Sequence, residues 1–135
     1  MSRRLLQLTM ILMGLLTVGL AGNSLLSGVA NPIYGPTLIP EVPALDSNLR
    51  FMGGMGLGLG LILLWIVPTV EQQSALFRAI WICAFLGGLG RFLSLFVVGW
   101  PPAPMIVFTV IEVLAVPGFL YWQNQVAKSS LLDNS

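Results

Sequence analysis

Phe85-Leu86-Gly87-Gly88-Leu89-Gly90-Arg91-Phe92 places one charged side chain inside an apolar run that has no loop signal for several residues on either side. An arginine at the centre of a membrane helix costs about 3 kcal/mol even on the mildest scale, so such a residue faces a partner or a polar cavity. The next apolar run embeds one acidic residue, Glu112, and this is the expected partner.

The surrounding composition explains why membrane depth is the right frame. The chain has 135 residues, of which 56% are hydrophobic and 8% charged, and its mean hydropathy is +0.91. Soluble domains carry roughly 25% charged residues, and a soluble chain of this size could not hide so much apolar surface. A net charge of +1 and the lack of any basic run exclude a nucleic-acid partner. The chain contains no histidine. Ordinary haem, zinc and copper sites therefore lose their usual ligand, and Ser/His/Asp or Cys/His catalysis its base, so neither metal nor cofactor is expected. Cys83 is alone in an apolar run and reads as a small buried hydrophobe.

Working outward, the third apolar span covers about 76–100 and the fourth 104–122, joined by Pro101-Pro102-Ala103-Pro104. Pro117 should kink or loosen the inner half of the fourth span. The second span, 49–70, carries Gly53, Gly54, Gly56, Gly58 and Gly60, which fall on two stripes and permit close helix approach on two sides. Phe51-Met52-Gly53-Gly54-Met55-Gly56 matches Phe85-Leu86-Gly87-Gly88-Leu89-Gly90, which suggests two glycine faces meeting at one depth.

The first span, 5–29, has small residues at Gly14, Thr17, Ala21, Ser24 and Gly28, alternating by three and four as a heptad seam. Asn23 is strongly polar in the middle of an apolar run and requires a hydrogen-bond partner. Ser2-Arg3-Arg4-Leu5-Leu6 looks like part of a twin-arginine signal, and Gly19-Leu20-Ala21 offers a cleavage pattern. The run is longer than a signal core, and a retained helix is expected.

Between the first two spans lies a proline-rich outer loop, 31–48, with Pro32, Gly35, Pro36, Pro40 and Pro43. Leu38, Ile39, Val42 and Leu45 make it a lid or an interfacial segment, and Asp46 or Ser47 should cap the second helix. Trp65, Trp81, Trp100 and Trp122 lie towards span ends, where indole favours the headgroup boundary. Arg3, Arg4, Arg78 and Lys128 fall on one side and Arg50 on the other, which puts both termini in the cytoplasm.

Arg91 and Glu112 each lie about 12 to 14 Å along their helices from the outer end, so they can meet. Arg91 shares its stripe with Ala84, Gly87 and Ser94, and Glu112 shares its own with Met105, Thr109 and Val116. Asn23 lies slightly shallower, with Asp46, Ser47 and Arg50 at the same end of the bundle. Three uses of the pair are open: a structural ion pair that fixes register, an anion or headgroup site on Arg91, and a proton relay through Glu112.

Leu45-Asp46-Ser47-Asn48-Leu49-Arg50-Phe51-x-Gly53-Gly54, taken with Gly87-Gly88-Leu89-Gly90-Arg91-Phe92-Leu93-Ser94, resembles the bacterial domain of unknown function 4345 family. The resemblance covers nearly the whole chain. It implies a small four-helix integral membrane protein, directs attention to Asn48, Arg50, Gly53, Gly54, Gly87, Gly90 and Arg91, and brings no activity with it.

The expected architecture is all-α: one domain over 1–135, a bundle of four transmembrane helices in a bacterial cytoplasmic membrane. Gly53, Gly54, Gly56, Gly60, Gly87, Gly88 and Gly90 are the expected packing positions. Arg91, Glu112, Asn23, Asp46, Arg50 and Ser94 are the candidate ligand-binding residues. On balance the chain reads as a non-enzyme, since an enzyme acting on lipid would have only Glu112 and Asp46 for acid–base work. It would bind a lipid headgroup or small amphipathic anion, or serve as an accessory or assembly subunit of a larger membrane complex. The expected partners are membrane lipids, a membrane protein or a second copy of the chain.

Overall fold

The computed structural model describes residues 2–34 and 42–133. Helix α1, Arg3–Ser27, runs into 3₁₀ turns at Gly28–Ala30 and Pro32–Tyr34; α2, Pro43–Ile66, ends in the 3₁₀ turn Val67–Thr69. Helix α3 covers Ser74–Val97, and α4, Ala103–Val110, passes through a π-helical turn at Ile111–Ala115 into α5, Val116–Asp133. No strand occurs among the described residues. Four continuous helical stretches, Arg3–Ala30, Pro43–Thr69, Ser74–Val97 and Ala103–Leu131, are long and apolar enough to cross a membrane. The shortest has 24 residues, or about 36 Å of helix against a hydrocarbon core of about 30 Å.

The boundaries differ from the sequence reading in instructive ways. The second helix begins at Pro43, six residues before the expected start at 49, because proline is tolerated in a first turn where its missing N–H has no partner to lose. Asp46 and Ser47 therefore sit inside the helix and do not cap it. The fourth span continues past 122 to Asp133, since Gln123 and Val126 are buried and give its polar end a packed face. The lid or interfacial reading of Gly35, Pro36, Leu38, Ile39 and Pro40 lies outside the described residues. Pro117 loosens the chain as expected, but on its N-terminal side: its ring disrupts the turn behind it, and the backbone widens over Ile111–Ala115.

The chain forms two compact units. One is Thr9–Trp65, the α1/α2 hairpin. Its antiparallel helices meet along the small-residue seam. A Cβ built on Gly53 would stand 2.5 Å from the Leu25 backbone nitrogen, one on Gly56 3.0 Å from Ala21, and one on Gly60 3.0 Å from Val18. On the facing helix, a Cβ on Gly14 would meet Leu64 at 2.6 Å. The Gly53/Gly56/Gly60 stripe is thus filled by α1, where the sequence repeat suggested glycines of the third helix. Gly54 meets only Leu25 at 3.8 Å, and Gly58 has nothing within 4 Å.

The other unit comprises the described residues of Met1–Leu8 and Ile66–Ser135. Helix α3 packs on α4, the π turn and α5. Leu6, Val67, Val70, Phe77, Ile80, Trp81, Val116 and Val126 form its core. Trp81 is buried, with ring centroids 5.9 Å from Phe77 and 4.5 Å from Phe119. It is a core residue and not a headgroup anchor, whereas Trp65 and Trp100 are exposed. Cys83 is also exposed, contrary to its reading as a buried hydrophobe. Three side chains close the α2–α3 connection by meeting carbonyls that the helix end leaves open. Arg3 donates to Pro68 O at 2.7 Å, Gln7 to Val67 O at 2.9 Å and Gln123 to Val70 O at 3.0 Å.

Candidate functional site

Arg91 projects from α3 and Glu112 from the π turn, and Gly88 permits their helices to approach. A Cβ at Gly88 would stand 2.7 Å from the Cβ of Glu112 and 3.1 Å from Val113. Thr109 and Val116, on the expected Glu112 stripe, are buried, so this face of the fourth span is the packed one. The pair does meet: Arg91 Nε lies 3.5 Å from Glu112 Oε2. The contact is loose, however. Glu112 Oε2 is buried and accepts no hydrogen bond from the described residues. The Arg91 side chain is 45% exposed and that of Glu112 24%, and the guanidinium stands 6.0 Å from the ring centre of Phe108.

The groups beside Arg91 are small and open. Gly87, Gly90 and Ser94 are exposed, and a Cβ at Gly87 or Gly90 would meet nothing within 4 Å. Within this unit these two positions, expected to pack helices, meet no neighbour, while Gly88 alone of the three is enclosed. The site therefore holds a guanidinium with unused donors, a carboxylate with an unused acceptor, and free space on the helix that carries the cation. An arginine so placed can grip a carboxylate or phosphate with two parallel hydrogen bonds.

Asn23, Asp46 and Arg50 form a separate set in the α1/α2 unit, and every one of them is engaged. Arg50 Nε donates to Asp46 Oδ2 at 2.6 Å, and its Nη1 donates to the carbonyls of Leu25 at 3.0 Å and Leu26 at 2.6 Å. Asp46 Oδ1 accepts from the Val29 N–H at 3.1 Å. Asn23 donates to Asn31 Oδ1 at 3.1 Å and accepts from the Ser27 hydroxyl at 3.0 Å, which meets its expected need for a partner. Asn31, 3% exposed, also donates to Ser24 Oγ and accepts from the Ile33 N–H. The set ties off the C-terminus of α1, with Nε and Nη1 of Arg50 committed to Asp46 and to the Leu25 and Leu26 carbonyls.

Sequence reasoning singled out neither Gly28 as a turn residue nor Asn31 as a hub. Gly28 has φ +54, and a Cβ there would collide with Asp46 Oδ1. The signal was present: a glycine just past a helical run, with Asn-Pro shortly after, is a C-terminal stop. Gln123 was also missed. It is fully buried, donates to Val70 O and Ser74 Oγ, and leaves Oε1 without a partner. Arg3, counted only as a charge, holds Glu71 through two bonds of 2.9 and 2.8 Å.

Among the described residues, no three histidine, cysteine, aspartate or glutamate side chains come together as a metal site. No curated protein and no solved structure matches the chain. The glycine and arginine motifs of α2 and α3, set in an all-helical chain with four membrane-length helices, agree with a family match over residues 5–123: the chain belongs to the family described as domain of unknown function DUF4345.

Proposed function

We propose that this protein binds, without chemical conversion, the headgroup of a membrane lipid or a small amphipathic anion at Arg91. The observation that carries the reading is the half-exposed guanidinium that stands 3.5 Å from the Glu112 carboxylate and, among the described residues, makes no hydrogen bond with it. A structural pair would bring the two groups into hydrogen-bond contact, because an unsatisfied charge at membrane depth is costly. Ser94 supplies a hydroxyl three residues along the same stripe, and the open surface at Gly87 and Gly90 leaves room for a head. The proposed setting is the outer half of a bacterial cytoplasmic membrane with both termini in the cytoplasm. Arg3, Arg4, Arg78 and Lys128 against Arg50 support that orientation.

The test is lipid retention. Protein extracted gently into a mixture of phosphatidylethanolamine and phosphatidylglycerol is examined by native mass spectrometry, beside Arg91→Met and Arg91→Lys. Loss of charge-assisted hydrogen bonds should lower retained lipid about tenfold or more in Arg91→Met, with partial recovery in Arg91→Lys. Equal retention by all three proteins rejects the reading. Reporter fusions at the two termini test the orientation, and periplasmic activity from either would reverse it.

A second reading, an accessory subunit of a larger membrane complex, is favoured by Gly58, whose position offers a small-residue surface that nothing fills. If Gly58→Leu releases a co-purifying membrane protein while lipid retention persists, this reading replaces the first.

A further inference from the structure

The Arg91 site holds a negative charge that a simple anion would leave worse off. Glu112 Oε2 is buried without a hydrogen-bond donor, and its nearest cationic atom is Arg91 Nε at 3.5 Å. An anion seated on Arg91 would draw away the charge that offsets this carboxylate and set a second negative group beside it. Like charges at such range repel strongly where the dielectric is low. A ligand that carries its own cation removes the conflict.

We infer that the ligand is a zwitterion with a primary ammonium, of the amino-alkyl phosphate class: its phosphate sits on the Arg91 guanidinium and its ammonium donates to Glu112. The inference rests on the reading of Arg91 as an anion site and adds the identity of the headgroup. A two-carbon spacer keeps the opposite charges of such a headgroup close together, and the site presents its own opposite charges side by side, with Nε and Oε2 3.5 Å apart. A primary ammonium brings three N–H donors to a carboxylate that lacks any, and the exposed quarter of the Glu112 side chain is the route of approach. A quaternary ammonium has no N–H to give, and a glycerol headgroup has no cation. The neutral sum of the site, one guanidinium and one carboxylate, matches a ligand with no net charge.

The chemistry could come from a lipid or from a soluble amphiphile's head, and the experiment separates them. The whole protein is equilibrated with phosphatidylethanolamine, phosphatidylglycerol and phosphatidylcholine of identical acyl chains at equal mole fraction, and retained lipid is counted by native mass spectrometry. The ethanolamine lipid should exceed each of the others about tenfold, the value of one charge-assisted hydrogen bond. Glu112→Gln should erase that preference while glycerol-lipid retention holds or rises. The double variant Arg91→Met with Glu112→Leu, which leaves no charge stranded, should fold and retain none of the three. Displacement of the lipid by free phosphoethanolamine would identify a soluble ligand, and resistance to it a membrane lipid. Equal retention of the three lipids by the parent, or an ethanolamine preference that survives Glu112→Gln, overturns the zwitterion. Unchanged retention in Arg91→Met overturns the anion site beneath it.

Discussion

Arg50 and Arg91 are both set in apolar helices beside a single carboxylate, yet Arg50 holds Asp46 at 2.6 Å and donates to two carbonyls, while Arg91 stands 3.5 Å from Glu112 with no hydrogen bond between them. The difference begins in the sequence. Asp46 and Arg50 are four apart on one helix, so the helix itself brings them together, and the end of α1 offers open carbonyls within reach. Arg91 and Glu112 lie on different helices, and their approach depends on Gly88 and on the turn that precedes Pro117. The first pair is bonded into the hairpin through Arg50 Nε and Nη1 and Asp46 Oδ1 and Oδ2. The second keeps its capacity in reserve.

The same contrast runs through the glycines and gives the largest expected effect. Gly53→Leu must drive a side chain into the Leu25 backbone and should cost about 3 kcal/mol, at the upper end for overpacking. Gly87→Leu enters open space and should stay within about 0.5 kcal/mol. Leu63→Ala, which empties a buried site, should then cost more than Gly87→Leu, the reverse of what the glycine repeat suggests. Reversible unfolding in a denaturing detergent series would measure all three, and equal loss from both glycine changes would erase the distinction between the two regions.

Next in size is the comparison of arginines. Arg50→Met strands Asp46 and two carbonyls, whereas Arg91→Met strands one partly exposed carboxylate. The midpoint should fall further for Arg50→Met, and the opposite order would make Arg91 the structural residue.

Gln123 is an intermediate case, with its amide nitrogen engaged twice and its oxygen unengaged. Gln123→Leu loses the bonds to the Val70 carbonyl and the Ser74 hydroxyl but also removes the unsatisfied oxygen, and a net loss of about 1 kcal/mol is expected from the same unfolding series. A loss several times larger would mean that the oxygen has a partner in the membrane-embedded protein.

The smallest effect is the sharpest test. Replacing both Arg91 and Glu112, by Met and Leu, should leave stability within about 1 kcal/mol of the parent, because the pair gains little from itself. Replacing Asp46 and Arg50 in the same way should not recover stability, since the Leu25 and Leu26 carbonyls would remain open. If the Arg91/Glu112 double variant unfolds, register and not binding is the role of that pair.

Much of this was legible in the chain. Four long apolar runs named the four helices, the heptad of Gly14, Thr17, Ala21, Ser24 and Gly28 marked the α1 face that α2 fills, and depth along consecutive helices brought Arg91 to Glu112. The errors share a cause. Pro43 read as a loop residue because proline breaks helices except in the first turn, and sequence alone could not locate that turn. Gly87, Gly88 and Gly90 looked alike, although only Gly88 faces the fourth span. Trp81 and Cys83 exchanged environments, because both lie in one unbroken apolar run where hydropathy has no contrast between lipid and core.

Local chemistry thus determined what kind of solvent the protein needs, how many times it can cross it and which charges must be accounted for: hydrophobic length and the cost of a charge in hydrocarbon depend on residue type alone. Which glycine is filled, which arginine is satisfied and which tryptophan is buried were decided only by tertiary contact. In a membrane helix both lipid-facing and protein-facing sides are apolar, and the two are told apart by which neighbour comes within a few ångströms.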